Sequence, residues 1–365
     1  MNLSTQQMNM RTYEILFALI RSGLQIENAN LDGVVNWENL YNIASEQGVA
    51  AIVAEGISHE FENGFSADDF DFSMRIQFID ELVSAEQTYL SFLQSATRLA
   101  ELYHKHGIRT FCLKGFVTNS FYPKPKLRVF CDFDCFLGDF CKGNELAKQI
   151  GIDVAGSYKH ATFNYEAIHV ENHQFCTHFR GRKKAYQFEM FLQSVMRNDK
   201  VEYIGDSYIE KPTPLFNALF LTHHARSHFF DERVSLRQVV DWAMLMRYYG
   251  TADVDWKEFE YICREYGLLS FAQTMSRVAK KICHVEIPFD CPANDQLDKM
   301  LLDDIFSETQ KHVEYGTGMK TRWQILRNKY NARWKYHYFS DQTFASALWQ
   351  QIWGVISDFA PERHS

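Results

Sequence analysis

The sequence predicts an α+β protein in which a small mixed sheet with its helices is flanked by N- and C-terminal helical regions. Three observations predict this. Apolar residues recur at helical spacing up to about residue 106 and again from Pro214 onward. Between those stretches the pattern changes to short alternating or wholly apolar runs punctuated by glycine and proline, as strands and turns require. One of these runs, Arg128–Leu137, carries two aspartates spaced by two, Asp132 and Asp134. The division that follows is a helical region over 1–95, a mixed region over 96–205 and a second helical region over 206–365.

Residues 10–60 read as helices. Tyr13, Leu16, Phe17, Ile20 and Leu24 fall on one helical stripe, Trp37–Leu40 opens a second helix, and an Ala/Val/Ile-rich helix lies near Val49–Ile57. The Gly/Ser/Asp-rich stretch from Asn63 to Asp71 is a loop. A long helix is expected from about Phe78 to His106, with Ile79, Leu82, Leu90, Leu93, Ala96, Ala100 and Tyr103 as its apolar stripe and Gly107 as its C-cap. Ile108–Leu113 is a buried strand broken by Lys114-Gly115. Phe116–Phe121 is a short helix, Tyr122–Pro125 a turn, and Arg128–Leu137 the second strand. A helix over Glu145–Ile150 and a hairpin of Ala161–Tyr165 with Ala167–His173 complete the mixed region. Helices are then expected at Leu215–His228, Leu236–Tyr248, Trp256–Tyr266 and Phe271–Cys283, with mostly helix again from Asp295 to Ile356.

The aspartate pair carries the chemistry. Side chains alternate faces along a strand, so Phe130, Asp132, Asp134 and Phe136 share one face and Val129, Cys131, Phe133, Cys135 and Leu137 the other. Aspartate fits poorly in a strand, and two like charges this close call for a cation between them or a raised pKa. Hard carboxylate oxygens suit Mg²⁺, which takes one or two carboxylates plus substrate phosphates. A divalent-metal site for phosphoryl chemistry needs such a pair. The plain alternative is an edge strand with a solvated polar face.

Two-metal phosphoryl transfer wants a third carboxylate. Glu171, with His169 and His173 on its face of a cleanly alternating strand, is preferred. Glu189 competes from a run that reads equally well as an amphipathic helix, with Tyr186, Phe188 and Phe191 as core.

Composition narrows the class. The chain has 365 residues, 46% hydrophobic, 15% aromatic and 23% charged, with a net charge of −8. It is globular rather than disordered and has no global basic field for nucleic acid. The apolar stretch Ile15–Ile20 is too short to span a bilayer and no signal pattern precedes it. The eight cysteines form no CxxC pair and sit mostly in apolar runs, as reduced thiols would. A soluble, cytoplasmic protein is expected, with no membrane partner.

At this point the chain resembles a family. Leu113-Lys114-Gly115, then Tyr122-Pro123-Lys124-Pro125, Arg128 and Asp132-Phe133-Asp134, look like the uncharacterised bacterial nucleotidyltransferase family of the polymerase-β superfamily. Val170-Glu171-Asn172-His173 resembles that family's "VEIH" strand. His223-His224, Ser227-His228, Leu236-Arg237 and Asp241 resemble its helical segment. The likeness runs from about Tyr103 to Met246. It implies a nucleotidyltransferase-fold core and an enzyme that moves a nucleoside monophosphate from an NTP to an acceptor hydroxyl on a small molecule, protein or RNA. It further implies that Asp132, Asp134 and Glu171 hold Mg²⁺ or Mn²⁺, and that Lys114 and Gly115 lie near the triphosphate. Phe116 follows the glycine where superfamily members commonly carry serine, a departure at the phosphate-binding position. Arg128 has two candidate partners, a phosphate or an acidic neighbour. The alternative function is a non-catalytic, antitoxin-like nucleotide-binding protein with the same fold.

Three further groups stand out. His223, His224, His228 and Asp241 could ligate a transition metal, as in a phosphohydrolase, or could buttress the catalytic domain; no adjacent His-Asp pair is present, which favours the buttress. The aromatic and basic stretch Lys320–Phe339 reads first as an amphipathic helix and second as a nucleic-acid surface. Arg180–Lys184 is a basic cluster that could steer an anion or simply be solvated.

Overall fold

The computed structural model describes residues 3–31, 35–65, 70–156, 158–179, 182–197, 201–307, 327, 330–346 and 348–349. Helices α1 (Leu3–Gly23), α2 (Trp37–Glu46), α3 (Ala50–Glu62) and α4 (Phe72–Lys105) precede the sheet. β1 (Thr110–Cys112), α5 (Phe116–Asn119), β2 (Asp132–Leu137), α6 (Phe140–Gln149), β3 (Ala155–Gly156), β4 (His160–Tyr165), β5 (Ile168–His173), α7 (Lys183–Val195) and β6 (Ile209–Glu210) follow in order. Helices α8 (Pro214–Asp231), α9 (Leu236–Tyr249), α10 (Trp256–Glu265), α11 (Leu269–Cys283), α12 (Asp295–Ile305) and a helix at Arg333–Phe339 follow, with further helical residues among 327–331 and 344–349. The α+β order of the sequence reading holds.

The sheet has six strands in the order β3-β4-β5-β2-β1-β6. β2 runs parallel to β5 and antiparallel to β1, and β4 is antiparallel to β5. β2 is therefore interior, which excludes the edge-strand alternative for the aspartates. On one face Phe133, Cys135, Leu137 and Val170 are buried under α4 and α6. There Asn172 reaches Asn144 of α6 at 2.8 Å, and Gly143 of α6 lies so near that a Cβ would meet Leu137 and Tyr103. The other face carries the polar groups.

Several boundaries differ from expectation for local reasons. α4 begins at Phe72, because the Asp71 carboxylate caps Met74 N at 2.8 Å. The expected stripe of α4 is partly wrong: Ile79 and Leu90 are exposed, with Phe78 and Ala85 buried instead. β2 begins at Asp132 rather than Arg128, because Pro125–Leu127 forms a 3₁₀ turn that swings Arg128 away from the strand. α6 starts at Phe140, capped by Asp139, and the two-residue strands β3 and β6 were not foreseen. Five of the eight thiols are buried; Cys131 and Cys141 are exposed and Cys291 lies between.

Arg180, and most of Lys320–Tyr330, lie outside the described residues. In the described part of the basic stretch, Phe339 is buried and Trp334 packs on the core, as an amphipathic helix requires, but Lys335 is buried with them rather than solvated. No described helix is long and apolar enough to cross a membrane.

Candidate active site

The parallel register of β2 and β5 builds the site. Asp132 lies opposite His169, Asp134 opposite Glu171 and Phe136 opposite His173. β4 adds His160 opposite His173 and Thr162 opposite Glu171. Partners across a ladder share a face, so the three candidate carboxylates and the imidazoles of His160, His169 and His173 stand together.

Each carboxylate has a different environment. Asp134 is buried. Its Oδ1 lies 3.2 Å from His173 Nε2 and its Oδ2 lies 3.1 Å from Lys114 Nζ. The Lys114 contact is an ion pair off the hydrogen-bonding direction, leaving Oδ2 without a directed donor. Burial works to raise this carboxyl, but Lys114 and His173 hold it far below the usual range. Asp132 is half-buried, and desolvation, Glu171 and Asp134 push its carboxyl up. Glu171 is lowered by the His173 hydrogen bond, against its burial. Burial pushes the His173 imidazole down, but the carboxylates Asp134 and Glu171 outweigh it and its pKa is raised. Three carboxylates on adjacent interior strands, one with a buried oxygen that lacks a directed donor, are a donor set that fits a hard divalent cation.

The β1–α5 turn brings Lys114 to the site. Gly115 there has φ +63°, and a Cβ would press to 3.2 Å from the Phe130 ring. Glycine takes this conformation without strain. Lys114 Nζ also reaches His224 Nε2 of α8 at 3.3 Å, and His228 Nε2 lies 3.2 Å from the same nitrogen. Lysine only donates, so His224 Nε2 accepts and its proton sits on Nδ1. Burial and neighbouring Lys114 keep His224 well below its ordinary pKa and lower His228. Burial takes His223 to about 3. The three histidines are thus neutral at physiological pH; His224 meets the site through Lys114, His228 stands behind His224, and His223 packs on the Phe188 ring of α7.

Asp241 does not join them. It accepts from Arg128 Nε and Nη2 at 2.6 and 2.9 Å and from Tyr122 Oη at 2.7 Å, all buried. Of the two partners open to Arg128, the structure pairs it with the acidic one. Glu189 lies in α7 and accepts from Cys176 N, Thr177 N and Thr177 Oγ1 at 2.9, 2.7 and 2.8 Å, anchoring the loop after β5.

The model of one protein family, described as an uncharacterised nucleotidyltransferase, matches residues 34–284, well over half of the chain. The chain belongs to that family. No curated protein and no solved structure matches it. The mixed sheet with helical flanks agrees with a nucleotidyltransferase fold.

In this nucleotidyltransferase family member, one charged neighbour of the site escaped the sequence reading. Lys159, just before β4, has its amine pKa lowered by burial, while Asp134 and Glu171 pull the other way. A lone lysine in the run Gly156–His160 gives no periodic signal. Only the β4–β5 register, which sets His160 against His173, could have pointed to it.

Proposed function

We propose that this protein transfers a nucleoside monophosphate from an NTP to an acceptor hydroxyl. What supports this most is the direct pairing of Glu171 with Asp134 on interior strands, with Asp132 on the same face. Together with membership of a nucleotidyltransferase family, it favours this chemistry over a mere nucleotide-binding role.

Asp132, Asp134 and Glu171 would hold Mg²⁺ or Mn²⁺. When bound, such an ion polarises the phosphoryl oxygens and offsets charge on the departing pyrophosphate. The chain's own residues do the rest. Lys114, already paired with Asp134, supplies a positive charge where the triphosphate would lie. Gly115 lets the backbone approach. Lys159 adds a second cation on the sheet side, and the neutral imidazoles of α8 exclude water without adding charge. Arg128 acts at one remove by locking the segment before β2 to α9 through Asp241. The acceptor oxygen forms a bond to the α-phosphorus as its proton passes to solvent water. The α–β anhydride bond breaks and pyrophosphate leaves.

The test uses NTPs labelled at the α-phosphate, incubated with the protein, Mg²⁺ or Mn²⁺ and a fractionated extract as acceptor source. Label should enter an acceptor from α-labelled but not γ-labelled NTP, with Asp132→Asn inactive. Label entering equally with Asp132→Asn would refute the reading.

A further inference from the structure

Next to the aspartate pair, the same sheet face carries a second donor set of different chemistry. One ligand atom from each of His160, Glu171 and His173 lies within 4.8 Å of the others. These residues come from neighbouring strands at fixed register, so the backbone ladder holds the spacing. His173 Nε2 and Glu171 Oε2 are 3.4 Å apart. That is about the edge of a tetrahedron with metal–ligand bonds of about 2.1 Å. The second nitrogen of His173 faces the Phe175 carbonyl at 3.4 Å. Such an outer contact keeps a ligating imidazole in the tautomer whose Nε2 lone pair is available.

In that tautomer His173 Nε2 is an acceptor facing carboxylate oxygens of Asp134, at 3.2 Å, and of Glu171. Acceptors that face one another need a cation between them. A proton serves in the metal-free protein, and a metal ion displaces it. Two imidazoles and one carboxylate suit first-row transition ions. They do not suit Mg²⁺, which takes oxygen ligands.

We propose that His160, Glu171 and His173 bind one first-row transition-metal ion, of the Zn²⁺, Co²⁺ or Mn²⁺ class, beside the Asp132/Asp134 pair. Three protein ligands leave a coordination position open, as in reactive rather than structural sites. Glu171, with two oxygens, belongs to both donor sets and couples them. This site does not depend on the nucleotidyl-transfer reading, because its ligands are defined without a nucleotide.

The experiment titrates metal-free full-length protein with Co²⁺ and reads the visible ligand-field band, with calorimetry alongside. The expected result is one equivalent bound and not displaced by equimolar Mg²⁺. Affinity should fall by about tenfold or more in His160→Asn and in Glu171→Gln, and Asp132→Asn should keep the band. Equal Co²⁺ binding by wild type and His160→Asn, or displacement by equimolar Mg²⁺, overturns the site. Should His160→Asn fail to fold, protection of the partly exposed His160 from diethyl pyrocarbonate by Co²⁺ in the wild type decides it: protection supports the site and equal modification overturns it. An intact Co²⁺ site in a protein that binds no NTP would sink the transfer reading and leave this one standing.

Discussion

Asp132 and Asp134 are two residues apart and have opposite electrostatic surroundings. Asp134 is held ionised by Lys114 and His173, while Asp132 is burdened by burial and by its acidic neighbours. Their amide variants should therefore diverge in the metal-free protein. Asp134→Asn strands a buried imidazolium and an ammonium and should cost about 3 kcal/mol. Asp132→Asn relieves repulsion and should raise stability, within about 1 kcal/mol. The Asp134 effect has a defined pH dependence. A depressed carboxyl contributes stability above its unfolded value of about 3.9, and that stability is lost as pH falls through the folded value. His173, with a raised pKa, contributes below about 6.5 and loses its share as pH rises through its folded value. Denaturation across pH should thus show the wild type's advantage over Asp134→Asn greatest between about pH 4 and 6.5. An advantage that grows on acidification below that window would contradict this. At this scale the sequence exposed the DxD pair and Glu171, because strand alternation marks them. It left Arg128 open and missed Lys159, because their partners lie on other elements.

Among elements, the alternation of β2 and β5 was legible; their parallel pairing comes from the sheet order. Helix type and order were legible too, whereas starts set by capping aspartates were not, because periodicity begins a turn or more later. Contacts between helices left no periodic trace. The clearest case is α1 against α3, where Gly23 and Gly56 let the backbones meet. A Cβ at Gly56 would sit 2.1 Å from Leu19 O, and one at Gly23 would sit 2.0 Å from Ile52 O. Backbone cannot yield as a flexible side chain does. Gly56→Ala should therefore cost about 3 kcal/mol or more, read by chemical denaturation. A variant of wild-type stability would mean that the two helices do not touch here.

Across the whole molecule, one cluster of buried residues runs from Ile15 to Phe339. The family-matched stretch begins after α1, yet Ile15, Leu16, Leu19 and Ile20 of α1 are buried in that cluster. Lys335 ties the helix at Arg333–Phe339 to the rest. Its ammonium donates to Phe229 O, Glu232 O and the Asp304 carboxylate at 2.7, 3.0 and 2.9 Å, fully buried. Burial lowers Lys335 and raises Asp304, so desolvation outweighs their mutual attraction. Lys335→Met alone should cost about 3–5 kcal/mol by leaving Asp304 buried and unpaired, while Lys335→Met with Asp304→Leu should recover most of it. Thermal unfolding of the three proteins checks this; equal losses in the single and double variants would contradict it.

The central claim is that nucleotide and metal meet at the Asp132/Asp134/Glu171 face. Calorimetric titration of NTP analogues with a non-cleavable α–β bridge tests it most directly, with and without Mg²⁺, on wild type and Asp132→Asn. The account predicts metal-dependent binding to the wild type that weakens by about tenfold or more, at least 1.4 kcal/mol, in the variant. Binding of equal strength to both proteins, or binding indifferent to the metal, would contradict it.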